Sequence, residues 1–90
     1  MKITFDPKKR AETLRRREVD FLDAAIVFTG PNYTIQDERY PYPEDRFLTA
    51  GLLSGRMVIV VWTPTEDGCR VISMRKANDR EQKRYSHRLG

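Results

Sequence analysis

The most demanding stretch of the chain is Met57–Trp62, which reads MVIVVW. Every side chain in it is apolar. On a strand, successive residues point to opposite faces, so this segment needs apolar cover on both. Such a strand belongs at the centre of a sheet that carries other layers above and below it. It is far shorter than the roughly 20 residues that span a bilayer. Turn signals bracket it: Gly55 before, and "PTEDG" (Pro64–Gly68) after, where Asp67-Gly68 is a hairpin signal. Beyond the turns lie "RFLTAGLLS" (Arg46–Ser54) and "CRVISMR" (Cys69–Arg75), both of strand composition. Strands joined by short turns form an antiparallel sheet. Alternation then puts Ile72 and Met74 on one face and Val71, Ser73 and Arg75 on the other. It also parts Arg70 from Arg75 unless a bulge intervenes.

The flanks supply the covering layers. In "FDPKKRAETLRRRE" a helix opens with Asp6 as N-cap and Pro7 at the first helical position. Lys8, Glu12 and Arg16 alternate in sign at i, i+4 and i+8, which supports it locally. "VDFLDAAIVFTG" reads as a second helix, capped by Asp20 and stopped at Gly30-Pro31. "PNYTIQDERYPYPEDR" is loop with a short strand at Tyr33–Gln36, because Pro41 and Pro43 bar a central strand there. "ANDREQKRYSHRLG" closes the chain as a helix, with Asn78 and Glu81 spaced as a capping box. The expected architecture is one α+β domain over residues 1–90. It has two N-terminal helices, an antiparallel sheet of three to four strands and a C-terminal helix.

Charge is distributed unevenly. Residues 1–30 hold seven Lys/Arg against five Asp/Glu, residues 31–68 hold three against six, and residues 69–90 hold seven against two. The chain is basic at both ends and acidic in the middle, which points to a polyanion or to a partner protein that covers the basic surface. The lone Cys69 cannot close an internal disulfide, and "MKITFDPKKR" lacks the apolar segment of a secretion leader. A cytoplasmic, reducing setting with no membrane association is expected. One Cys and one His fall short of a structural zinc site. The acidic group Asp37, Glu38, Glu44 and Asp45 reads as a solvated loop, so neither metal nor cofactor is expected.

Several basic groups stand out. Arg70, Arg75 and Lys76 sit at the two ends of the last strand, where Arg grips phosphate bidentately and Lys acts as a point charge. Arg80, Arg84 and Arg88 line one face of the last helix. Like charges at that spacing cost a few tenths of a kcal/mol per pair. Phosphates or a partner's carboxylates would relieve this cost, and solvation is an equally good account. Three adjacent arginines, Arg15–Arg17, fan around the end of the first helix. No Ser-His-Asp set, P-loop or glycine-rich phosphate loop is present, and the one histidine, His87, lies near the chain's end. If the chain is an enzyme, the route left is metal-free phosphoryl chemistry by Arg, Lys, Tyr and Glu; cleavage of RNA by its own 2′-hydroxyl needs little more than positioning, a proton acceptor and positive charge.

Three segments together resemble the BrnT family of type II toxin–antitoxin toxins: "FDPKKRAETLRRREVDFLDAAIVF", "DRFLTAGLLSGRMVIVVWT" and "CRVISMRKANDREQKRY". The family run R-I-I-S-A-R-K-A, then R-E and Tyr, matches Arg70 to Ala77, then Arg80, Glu81 and Tyr85. Its WDPxK opening matches Phe5, Asp6, Pro7 and Lys9, and its ERF matches Asp45, Arg46 and Phe47. The resemblance implies a RelE-like fold and a metal-independent endoribonuclease that restrains translation. It also implies neutralisation by a BrnA-like antitoxin, through which alone operator DNA is bound. On this reading the catalytic set is Arg70, Arg75, Lys76, Glu81 and Tyr85, with RNA contacts from Arg46, Arg17, Arg80 and Arg84. The family's Lys-His-Gly-Val turn reads Arg16, Arg17, Glu18, Val19 here. Arg17, always protonated, replaces a proton-transfer group, and Glu18 replaces an easy left-handed helix stop. The alternative is a non-catalytic basic module that binds nucleic acid or an acidic protein.

Overall fold

The computed structural model describes residues 1–89. The apolar run lies in β4 (Arg56–Pro64), and it is indeed central. On one side β4 pairs antiparallel with β3 (Phe47–Leu53), which pairs in turn with β2 (Asn32–Gln36). On the other it pairs antiparallel with β5 (Gly68–Lys76). The β3–β4 turn has positive φ at both Ser54 (52°) and Gly55 (77°), the geometry of a tight two-residue hairpin.

The sheet has five strands, because the first residues form one as well. β1 (Lys2–Thr4) lies parallel to the start of β5, with Ile3 opposite Cys69. The sheet is therefore mixed, in the order β1-β5-β4-β3-β2, and not the antiparallel sheet of three to four strands expected. A three-residue strand that pairs 66 positions away leaves almost no local signal. It also explains Gly68. That residue does not take a left-handed conformation; a Cβ on it would lie 1.9 Å from the Lys2 carbonyl oxygen. The glycine exists for the close approach of β1.

A bulge interrupts β5. Val61 stands opposite Ser73, but Trp62 stands opposite Val71, which leaves Ile72 as the extra residue. The bulge corrects the simple alternation. Val71 and Met74, not Ile72 and Met74, share a face and join one core, while Ile72 packs against the other. Arg70 and Arg75, opposite Thr63 and Ile59, now point to the same face.

Two cores sandwich the sheet. On the covered face, Val58, Val60, Val71 and Met74 meet Val19, Phe21, Ala24 and Val27. The second helix is shorter than its sequence suggests. A 3-10 turn (Phe21–Asp23) is capped by the Asp20 side chain, and α2 (Ala24–Thr29) follows. The opposite face carries a smaller core of Ala50, Met57, Ile59 and Val61, closed by Ala77 and Tyr85. Tyr85 ends α3 (Asp79–Tyr85), which starts with the capping box of Asn78 and Glu81 and tightens into a 3-10 turn at Ser86–Arg88.

The remaining helix, α1 (Pro7–Arg17), buries no side chain fully. It lies along the edge of β5 that β1 is too short to cover. Lys9 donates to the Ile72 carbonyl, and Arg17 Nη1 lies 3.5 Å from the Met74 carbonyl as donor. Two cations thus occupy exposed strand carbonyls and blunt an otherwise open edge. The helix stops at Glu18 in the left-handed conformation (φ 58°, ψ 33°), its N–H bonded to the Leu14 carbonyl. The stop survives without glycine, at a steric cost of roughly 1–2 kcal/mol.

Candidate nucleic-acid interface

The open part of the sheet's second face holds the candidate site. Arg75 projects from β5 towards α3 and makes two parallel hydrogen bonds to Glu81, at 2.6 and 2.7 Å. The capping box fixes the carboxylate, since Glu81 Oε1 also accepts from the Asn78 backbone N–H at 3.0 Å. Arg75's hydrogen bonds hold the Glu81 carboxyl below its usual range, against burial, which pushes it up. A carboxylate so held is ionised and weakly basic.

A residue that sequence reasoning missed acts on this pair through its charge. Arg39, from the loop between β2 and β3, is near enough to repel Arg75 and to help keep Glu81 ionised. Its own anchor is Asp37, whose side chain is 1% exposed and accepts from Arg39 Nε and Nη2 at 2.7 and 2.8 Å. That bidentate contact lowers the Asp37 pKa and raises that of Arg39. Nothing in "QDERY" marks Arg39 as special; only the fold of the loop brings it here.

Arg70 lies at the other end of the same face. Arg70 and Arg75 face residues four apart on β4, roughly 13 Å along a strand. That spacing suits neighbouring phosphates better than a shared one. Arg70, Arg46 and Lys9 line one cavity of about 370 Å³, together with Asp6, Glu44 and Thr63. Arg46 is steered by Glu44 (Nε to Oε1, 2.7 Å) and lies 3.9 Å over the Tyr42 ring. Lys9 also lines a second cavity, with Arg16 and Arg17 beside the β5 edge. Arg46 likewise lines a third, in the β2–β3 loop. Lys9 is common to two of these hollows, and Arg46 and Glu44 to two, so the basic groove of Lys9 and Arg70 adjoins the loop hollow at Arg46.

Other expected site residues fall elsewhere. Lys76 stands opposite Val58 on the covered face and lies 3.7 Å from Glu18, so it does not join Arg75. Tyr85 is 5% exposed and packs its ring 5.9 Å from Tyr33; it is a core residue. Arg80 and Arg84 are exposed on α3, outside the groove, and Arg88, which lines a hollow with Arg84, stands 5.1 Å over Tyr33. Arg17 sits at the groove's far end. Cys69 is buried, which pushes its thiol pKa up and makes it a poor nucleophile. Among the described residues, no three His, Cys, Asp or Glu side chains converge as a metal site requires, and no helix is long and apolar enough to cross a membrane.

Fold and site together define a small α+β protein with one sheet face given to its core and the other opened to arginine. The family whose description is "Ribonuclease toxin, BrnT, of type II toxin-antitoxin system" matches residues 5–81, and the chain belongs to it. The match runs from the Phe5-Asp6-Pro7 opening to Glu81 and so includes Arg39, Arg46, Arg70 and Arg75. No curated protein matches the chain.

Proposed function

We propose that the protein is a metal-independent endoribonuclease that cleaves RNA and restrains translation, and that a BrnA-like antitoxin neutralises it. Operator DNA is met only through that antitoxin. The observation that carries this reading is the shared face of Arg70 and Arg75. Arg75 and Arg39 stabilise charge that develops on the scissile phosphate; Arg70, Arg46 and Lys9 hold its neighbours.

In the reaction, the 2′-oxygen attacks the adjacent phosphorus and the bond from phosphorus to the 5′-oxygen breaks. The products are a 2′,3′-cyclic phosphate and a 5′-hydroxyl. The incoming phosphate competes with Glu81 for Arg75. A carboxylate released from its cation regains basicity, and Glu81 then takes the 2′-hydroxyl proton. Water protonates the departing 5′-oxygen. Purified protein in EDTA should cleave RNA, and Arg75→Ala should slow cleavage by about 10²-fold or more, as loss of a charge-stabilising donor does elsewhere. Cleavage by a folded Arg75→Ala variant within threefold of wild type would remove this site.

One observation favours the second reading, a module that binds without cutting. The position that carries histidine in the family holds Arg17 here, and Arg17 points at a strand carbonyl. RNA that stays intact in the presence of salt-sensitive binding would decide for the module.

A further inference from the structure

The β2–β3 loop lines an open surface hollow of about 440 Å³. That is within the roughly 300–1,000 Å³ of small-ligand sites. Its walls include Tyr40, Tyr42, Arg39 and Arg46. Tyr40 is 67% exposed and meets Tyr42 edge-on, at 5.8 Å between ring centroids. A large aromatic side chain left in solvent costs burial energy that a core position would have recovered. The loop nonetheless holds its shape, because Asp37 is buried under Arg39 and the Asp37 N–H donates to the Arg46 carbonyl at 2.7 Å.

Charge separates this hollow from the groove it joins. Arg39 and Arg46 are matched by Asp37 and Glu44, which leaves Glu38 and Asp45 as surplus carboxylates on its walls. Beside Glu38 and Asp45 a phosphate is repelled, whereas Arg39 and Arg46 stand at the hollow's other walls. A neutral π-face is welcome on Tyr40, and carboxylates accept hydrogen bonds from exocyclic amines. Arg46 and Glu44 line both this hollow and the basic cavity of Arg70. A phosphate held at Arg46 therefore sits at the wall that the basic cavity shares with the Tyr40 hollow.

We propose that the Tyr40–Tyr42 hollow is a nucleobase subsite, which stacks one amine-bearing base of a single-stranded RNA on Tyr40 while the adjoining groove holds the backbone. The proposal rests on the ribonuclease reading for its place in the reaction, but its test does not need cleavage. Two six-residue 2′-deoxy probes, oligo-dC and an abasic backbone of equal charge, are titrated against wild type and Tyr40→Ala by fluorescence anisotropy. Neither can be cut through a 2′-hydroxyl. Wild type should bind oligo-dC about tenfold more tightly than the abasic probe, in the range for one stacked base, and more tightly than oligo-dU, which lacks the amine. Tyr40→Ala should lose most of that preference and keep its abasic affinity and salt dependence. Equal preference in the two proteins overturns the subsite, as would follow if a partner protein's basic side chain were the natural occupant. No binding by wild type overturns it too. If RNA is never cut but the preference disappears in Tyr40→Ala, the subsite stands and the ribonuclease reading falls. If RNA is cut and the preference survives, the reverse holds.

Discussion

The two faces of the sheet are built on opposite terms. One is dry, with Phe21, Val27, Val58, Val60 and Met74 each at most 1% exposed. The other begins as a core under Tyr85 and ends in Arg70, Arg46 and Arg39. The same strand, β5, serves both. Its bulge at Ile72 returns Val71 and Met74 to the covered side and sends Arg70 and Arg75 together to the open side. Stability and charge are thus divided by face rather than by element, and the buried Asp37 carboxylate among the arginines is matched by Arg39.

The division is broken most severely on the covered side. Phe21→Ala should cost about 3–5 kcal/mol, the usual toll for emptying a large core site, and urea unfolding followed by Trp62 fluorescence will read it. A loss below 1 kcal/mol would mean that the covered face is not the stabilising one. The open face is probed by acid. Glu81 has a folded-state pKa lowered by Arg75, so its contribution is present above the unfolded value of about 4.3 and fades as pH falls through the folded value. Glu81→Gln should therefore flatten the loss of stability between about pH 5 and pH 3. Some slope will remain, since Asp20 and Asp37 are lowered too. An unchanged slope would mean that the Arg75–Glu81 pair contributes nothing in solution. The smallest effect lies outside both faces. Glu18→Gly relieves the left-handed helix stop and should add about 1 kcal/mol; a destabilised variant would show that the Lys76 contact outweighs the strain.

The central strand, the hairpin turns, the caps of α1 and α3 and the α+β class were legible because each rests on local chemistry. MVIVVW has only one comfortable place in a sheet, and Asn78 with Glu81 can be read as a cap without knowledge of what surrounds them. β1 was not legible, since its three residues gain meaning only opposite Gly68–Arg70. The bulge left no mark in "CRVISMR", and strict alternation assigned Arg75 and Met74 to the wrong companions. Arg46 was marked beforehand and does meet Arg70. Arg39 and Lys9 were not, because a loop fold and a helix-to-edge contact bring them in. Lys76 was grouped with Arg75 by adjacency in sequence, which on a strand means opposite faces.

The parallel pairing of β1 with β5 has a consequence for how the molecule comes into being. Lys2–Thr4 are made well before their partners, residues 68–70. The closing ion pair, Arg75 with Glu81, is made later still. Such distant pairings are slow to form, and no N-terminal fragment can complete either the sheet or the arginine cluster. A chain interrupted during synthesis therefore carries no assembled groove, and the full set of charges appears only after the last strand and helix have been made.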